Sequence, residues 1–249
     1  MKRVKYRLNG VHWGELGGET IYPLTSMTGE RDGETVNVSD VTLLAPCEPR
    51  SVICVGKNYA KHIREMGGDE VPSEPGLFLK ALNTLSGPGD AIPYPAWTEN
   101  LHYEGELAVV IGRRMKEVAE ADAASHILGY TCAVDVTARD KQRSDLQWTR
   151  GKSADGFCPL GPLLETDLDT RNLSVQTRVN GELKQDGNTS DLIFSVPQIL
   201  AYISTFMTLE PGDVVLTGTP DGVGPLRVGD EVEVSVEGIG TLKNRVEAG

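Results

Sequence analysis

The stretch Leu101-His102-Tyr103-Glu104-Gly105-Glu106-Leu107-Ala108-Val109-Val110-Ile111-Gly112 decides how this chain is read. Its second half is an unbroken apolar run of strand length. Two acids, two residues apart, stand at its head. Side chains alternate along a strand, so Glu104 and Glu106 point to one face, about 6.6 Å apart along the chain. A second apolar strand, Thr131-Cys132-Ala133-Val134-Asp135-Val136, carries a lone acid. Asp is depleted in strand interiors, and burying a bare carboxylate is costly. Three acids entering apolar strands therefore ask for a cation, and a hard divalent metal answers that need. The Glu pair alone reads better as a solvated sheet face. Asp135 shifts the balance, because its neighbours are apolar.

The rest of the chain bounds the answer. It has 249 residues, 39% hydrophobic and 24% charged, the composition of an ordinary globular protein with one large domain or a core plus a small appendage. A formal net charge of -12 argues against nucleic acid and anionic membrane as partners. The four cysteines at 47, 54, 132 and 158 show no C-x-x-C spacing, which disfavours a zinc ribbon or a thioredoxin motif. Cys54 and Cys132 read as small core hydrophobes. With no apolar run long enough to span a bilayer and no signal-peptide pattern, the expected location is the reduced cytoplasm.

Residues 1–45 read as a small β-rich segment broken by glycines, and residues 46–249 as the main domain. In the latter, Ser51–Val55 is a buried strand, followed by a short helix that stops at Gly67-Gly68. Leu77–Lys80 is a strand, and a helix is expected around Ala119–Leu128. Asn180-Gly181 marks a hairpin, and Val196, Ile199, Leu200, Ile203, Phe206 and Met207 mark an amphipathic helix. Val232, Val234 and Val236 alternate with acids as a half-solvated strand. The balance is a β-rich mixed α+β fold.

Outside the acids, the signals for chemistry are weak one by one. His62 and Glu65 stand three apart on the short helix and share a face, so Glu65 can orient His62 as a general base. From spacing alone a surface His beside a solvated Glu is the better reading. Lys80 closes an apolar strand, where a lysine is usually exposed. Arg139 and Gln142 follow the Asp135 strand within a turn and lie near whatever Asp135 binds. Lys152, between Gly151 and Ser153, can reach back to a carboxylate. The loop around Thr219 is glycine-rich but lacks the P-loop pattern, so it offers only backbone N–H groups and a hydroxyl to an anion. No dinucleotide fingerprint and no G-x-S-x-G elbow is present.

Several runs together resemble the fumarylacetoacetate hydrolase family: Gly56-Lys57-Asn58-Tyr59-Ala60-Lys61-His62-Ile63-Arg64-Glu65-Met66-Gly67, Tyr103-Glu104-Gly105-Glu106, Asp135-Val136-Thr137-Ala138-Arg139-Asp140, Gly151-Lys152-Ser153-Ala154-Asp155-Gly156-Phe157 and Thr217-Gly218-Thr219-Pro220. The resemblance runs in order over about residues 46–246. It implies a β-roll-like core, a homodimer and a divalent metal, Mg or Mn and sometimes Ca. It implies metal ligands at Glu104, Glu106 and Asp135, and a water-activating dyad at His62 and Glu65 on a segment that orders over the substrate. Lys80, Arg139, Gln142, Lys152 and Thr219 match positions lining the substrate pocket. Two departures stand out. Ala81 follows Lys80 where the family often has proline, and the segment after Gly224 is short, which points to a compact pocket and a small substrate.

Such enzymes act on small anionic 2-oxo acids. The metal stabilises an enolate, and Lys152 offsets the negative charge of ligands and enolate. The outcome is C–C hydrolysis of an acylpyruvate, decarboxylation of oxaloacetate, or isomerisation of a hydroxydienedioate as in catabolism of aromatic compounds. All three share one intermediate, and the motifs do not choose among them. The alternative from another class is a non-catalytic binding protein for a small diacid. It requires a damaged constellation, and His62, Glu65, Lys152 and all three acids are in place.

Overall fold

A computed structural model describes all residues, 1–249. The fold is β-rich and mixed, with short helices between strands, as the sequence led one to expect. Its backbone is one large twisted sheet. In order across that sheet run Val36–Asn37, Thr20–Leu24, Val11–Gly17, Lys2–Arg7, Cys158–Glu165, Ile127–Val134, Gly105–Ile111, Val214–Leu216, Val52–Gly56 and Gly76–Lys80. The N-terminal strands join through Lys2–Arg7, which pairs antiparallel with Cys158–Glu165. A five-stranded sheet, in the order Glu182–Asn188, Ser174–Val179, Glu231–Val236, Gly240–Ala248, Ala91–Tyr94, packs against the centre of the large one.

Gly105–Ile111 is sandwiched, which explains its unbroken apolar character. Leu107, Val109 and Ile111 enter the main core shared with the five-stranded sheet. Ala108 and Val110 enter a smaller cluster on the other face with Cys54, Cys158, Leu160 and Leu216. A strand covered on both faces has no use for polar alternation. Fully burying each such Val, Leu or Ile contributes about 1.5–3 kcal/mol, so the strand is anchored firmly beside its acids.

Three local expectations are corrected. Glu104 is not inside the strand. It occupies the break between Leu101–Tyr103 and Gly105–Ile111, and its carbonyl accepts the Asp135 N–H at 2.8 Å. Asp135 likewise follows the end of its strand at Val134 instead of sitting in its middle. Both acids sit where the ladder ends, and a short three-stranded sheet of Thr137–Ala138, Leu101–Tyr103 and Gly224–Pro225 takes over. The helix expected around Ala119–Leu128 is one α-turn, Glu120–Ala123, and a 3₁₀ turn, Ala124–His126. Ile127 is drawn into the sheet opposite Ile111, and ladder pairing wins over helical continuation.

Local signals were otherwise followed. Asn180 and Gly181 both take positive φ, 52° and 80°, the pair of left-handed residues a type I′ hairpin demands. The amphipathic helix runs Val196–Phe206 and starts at a Ser195/Gln198 capping box. All four cysteines are free and buried. No helix is long and apolar enough to cross a membrane.

Candidate active site

Glu104, Glu106 and Asp135 converge. Each offers a carboxylate oxygen, all within 4.8 Å of one another, and all three residues are buried. Glu104 and Asp135 arrive from adjacent strand ends, Glu106 from the second position of the Gly105–Ile111 strand.

Three buried cations face these three acids. Lys152 donates to Glu104 Oε2 at 2.8 Å and to Asp135 Oδ2 at 2.6 Å. Lys80 donates to Asp135 Oδ1 at 2.6 Å and to the Val136 carbonyl at 3.3 Å. Arg139 pairs with Glu104 Oε1 and donates to Gln142 Oε1 at 2.8 Å. Lys80 is therefore buried, against the expectation of an exposed strand end. It stands behind Asp135 and does not line the cavity in front of it. A strand-end lysine stays exposed only where no buried carboxylate waits for it, and Asp135 lies 55 residues on.

The charges set opposite fates for the two glutamates. Burial disfavours ionisation of Glu104, but Arg139 and Lys152 outweigh it and hold its carboxyl well below the usual range. Glu106 has no such neighbour. Burial, then the charges of Asp135 and Glu104, push it well above the usual range, and only the Gly218 N–H at 2.6 Å and the more distant Lys152 oppose them. Burial works against the charge on Lys152, yet Asp135 and Glu104 raise its pKa, so it is a fixed cation.

A cavity of about 260 Å³ opens onto the acids. His62, Arg139, Gln142, Lys152 and Thr219 line it, as do Phe78 and Trp148, which meet edge to face with centroids 5.3 Å apart. His62 Nδ1 lies 3.1 Å from Glu65 Oε2, and His62 is buried while Glu65 stands at the surface. Glu65 also accepts the Gly222 N–H at 2.9 Å, tying the short helix Ala60–Glu65 to the Thr219 loop. The Thr219 hydroxyl donates to the Gly105 carbonyl at 2.9 Å, while no group of the chain accepts the Thr219 N–H. Of the ten residues singled out from the sequence, nine thus gather at one end of the sheet with the tenth, Lys80, directly behind them.

The pattern described as "Fumarylacetoacetate (FAA) hydrolase C-terminal" matches residues 51–247. The chain belongs to the fumarylacetoacetate hydrolase family. A second pattern, "Rv2993c-like, N-terminal", matches residues 1–46. Among relatives in this family, oxaloacetate tautomerase FAHD1 of Bos taurus is 45% identical over 80% of this chain and 92% of its own. A solved 2-hydroxyhepta-2,4-diene-1,7-dioate isomerase from Mycobacterium marinum is 43% identical and superposes with a TM-score of 0.93, covering 100% of this chain and 98% of that one. A fumarylpyruvate hydrolase from Pseudomonas aeruginosa, solved with Mn2+ and pyruvate, is 35% identical with a TM-score of 0.77, covering 82% and 91%.

The chain is an enzyme of the fumarylacetoacetate hydrolase family and shares its fold. Its donor set suits a divalent cation, such as the Mn2+ in the solved fumarylpyruvate hydrolase. Three hard oxygens are preassembled, with one of them, Glu106, left electrostatically unsatisfied by the lysines and arginine.

Sequence reasoning missed Phe78 and Trp148, both of which line the cavity. Phe78 reads as ordinary strand core, yet its ring lies 4.8 Å from Lys152 Nζ. Trp148 sits in a polar connection that folds as two short helices, Arg139–Ser144 and Thr149–Lys152. A lone Trp in a polar run was the available signal.

Proposed function

We propose that this chain is a divalent-cation-dependent enzyme acting on small 2-oxo acids through an enolate. The observation that carries this reading is the meeting of three buried carboxylates with the His62–Glu65 pair at one cavity of about 260 Å³. Glu104, Glu106 and Asp135 hold the cation, Mg2+ or Mn2+. When bound, such a cation supplies Lewis acidity toward the oxygens of a 2-oxo acid.

The chain's own groups do the rest. Lys152 stays protonated and offsets the negative charge that grows on the C2 oxygen as a bond to C3 breaks. The free Thr219 N–H and the Gln142 side chain orient the substrate carboxylate, and Arg139 adds positive charge from behind Glu104. Glu65 fixes the ring of His62 through Nδ1, which leaves Nε2 to accept a proton. Phe78 and Trp148 give the cavity an apolar, aromatic wall beside Lys152.

If Nε2 takes its proton from water, hydroxide adds to a C4 acyl group, the C3–C4 bond breaks with its electron pair left on C3 as the enolate, the C4 carbon leaves as a carboxylic acid, and the proton held on Nε2 is returned to C3. If C4 is a carboxylate, CO2 leaves, the pair again stays on C3 as the enolate, and C3 is then protonated. If Nε2 takes the proton from C3, returning it to the C2 oxygen gives the enol and returning it to C3 gives the keto form. The names of the relatives, a tautomerase, an isomerase and a hydrolase, support this shared intermediate. The test is turnover of oxaloacetate, acetylpyruvate and a hydroxydienedioate with Mg2+ or Mn2+ and after chelation. Cation-dependent turnover of at least one supports the reading, and inertness toward all three overturns it.

A homodimer belongs to the same reading. Dimerisation is supported by the sheet's last strand, Gly76–Lys80, whose outer edge is free and beside which Leu79 and Leu82 are 57% and 48% exposed. Sedimentation equilibrium checks it, and a monomer at micromolar concentration rejects it.

A further inference from the structure

A polar side chain in the five-stranded sheet has no evident business in the core. Gln185 is 0% exposed, while Leu183, two residues earlier on the same strand, is 39% exposed. The inversion has a structural cause. Across the hairpin, Thr177 pairs with Gln185 but Arg178 pairs with Leu183, so Lys184 is an extra, bulged residue. Without that bulge the register would set Gln185 opposite Gln176, on the outer face where Gln176 bonds Asp186 at 2.8 Å. The bulge turns Gln185 inward, while Leu183, opposite Arg178 in either register, faces water. Hydrophobic burial gives no reason to bring a carboxamide into the core, so the hydrogen bonds it makes there must account for it.

The inward Gln185 meets both halves of the site. Its Oε1 accepts the Gly105 N–H at 2.9 Å, between Glu104 and Glu106. Its Nε2 donates to Thr219 Oγ1 and to the Pro220 carbonyl, each at 2.8 Å. Thr219 Oγ1 donates in turn to the Gly105 carbonyl at 2.9 Å, which closes a ring of three groups, each donating to the next. Gly105 can sit this deep only because it lacks a side chain, since a Cβ there would lie 2.0 Å from Thr177 Oγ1 and 3.3 Å from Gln185 Oε1. The loop after Thr219 closes over the bulge itself, with Gly222 so near that a Cβ would lie 2.0 Å from the Lys184 carbonyl.

We infer that Gln185 is a positioning residue of the active site, locking the backbone that carries Glu104 and Glu106 to the loop that carries Thr219. It touches neither cation nor substrate. It acts through Gly105 on the spacing of two carboxylates and through Thr219 on the loop that lines the cavity. In a fully satisfied buried network each bond holds the others in place, so loss of the carboxamide loosens both arms together. This inference rests on the cation-dependent reading above.

The test uses the full-length protein with Mn2+ as probe. Gln185→Met keeps the shape and removes both arms. In the folded variant, Mn2+ affinity by calorimetry should fall tenfold or more. The spectrum of bound Mn2+ by electron paramagnetic resonance should broaden, and kcat at saturating Mn2+ should fall tenfold or more. A purely structural role would lower the melting temperature and leave affinity, spectrum and kcat of the folded protein unchanged, and that result overturns the inference. If Gln185→Met does not fold, Gln185→Glu decides. It keeps the oxygen that accepts from Gly105 and loses the donor to Thr219, so KM should rise tenfold or more, and an unchanged KM overturns the inference. Wild-type protein that binds no Mn2+ refutes the underlying reading, and Gln185 falls with it. Wild-type binding with variants indistinguishable from it refutes the role of Gln185 alone.

Discussion

Lys80 Nζ lies 2.6 Å from Asp135 Oδ1, and the two side chains are 0% and 1% exposed. The pair is sealed inside the protein on the side of Asp135 away from the cavity. Removing one partner of such a buried pair typically costs about 3–5 kcal/mol, because the other charge is left unpaired. Lys80→Met should destabilise the protein by about that amount in urea titrations. A variant as stable as wild type would show that Lys152 alone satisfies Asp135.

Asp135→Asn should lower stability, because Lys80 loses its buried charge partner, but leave a folded protein, since the isosteric amide oxygen still faces Lys80 and Lys152 retains Glu104. It should bind Mn2+ at least tenfold more weakly and lose turnover, because an amide replaces one of three charged donors. Circular dichroism, calorimetry and the substrate panel read the three effects. Full activity in this variant would remove Asp135 from the cation site.

His62→Asn and Glu65→Gln should separate proton transfer from cation binding. Positioned general bases contribute about 10²–10⁴-fold. Each variant should therefore lose about 100-fold or more in kcat with Mn2+ affinity within a few-fold of wild type. Glu65→Gln keeps an acceptor for the Gly222 N–H but presents an amide donor to His62, so it tests ring orientation. An equal loss of Mn2+ affinity would mean that His62 belongs to the cation site.

Cation binding should release protons. Glu106 is raised well above the ordinary glutamate range by burial and by Asp135 and Glu104, so it keeps its proton at pH values where a free glutamate has lost it. A cation ligand must be ionised, so affinity rises with pH through that raised pKa and falls as pH drops below it. Titration calorimetry in buffers of different ionisation enthalpy measures the protons released per Mn2+. None released at neutral pH would place Glu106 already ionised.

Gly105→Ala should destabilise the fold by overpacking, by about 1–3 kcal/mol, because its Cβ meets Thr177 Oγ1 at 2.0 Å. Thr177 Oγ1 has no hydrogen-bond partner, so Thr177→Ala leaves no group unpaired. The double variant should recover most of the loss in urea titration, and additive losses would place the strain elsewhere.

The acids at 104, 106 and 135, the Asn180-Gly181 turn and the helix over Val196–Phe206 were legible because their signals are local. Charge in an apolar run, positive φ at a turn and a 3.6-residue period all depend on near neighbours. The β-rich class followed from the same patterns. The strand ends at Glu104 and Asp135 were misplaced by a residue or two, because a three-stranded sheet formed from distant segments takes over there. The burial of Lys80 was not legible, since its partner is 55 residues away. Gln185 was invisible for the same reason: its partners are 80 and 34 residues distant, and only the bulge at Lys184 aims it at them.

By itself, then, the sequence determined which chemical groups this protein owns: three misplaced carboxylates, a His–Glu pair one helical turn apart, and strands apolar enough to hold them. Only the tertiary structure decided which cation answers which acid. It left Glu106 the acid with no buried cation of its own, and it gave Gln185 the backbone between the glutamates to hold. Pairing across tens of residues is settled by packing, because the energy of a buried charge depends on what surrounds it, and the linear chain does not encode that locally.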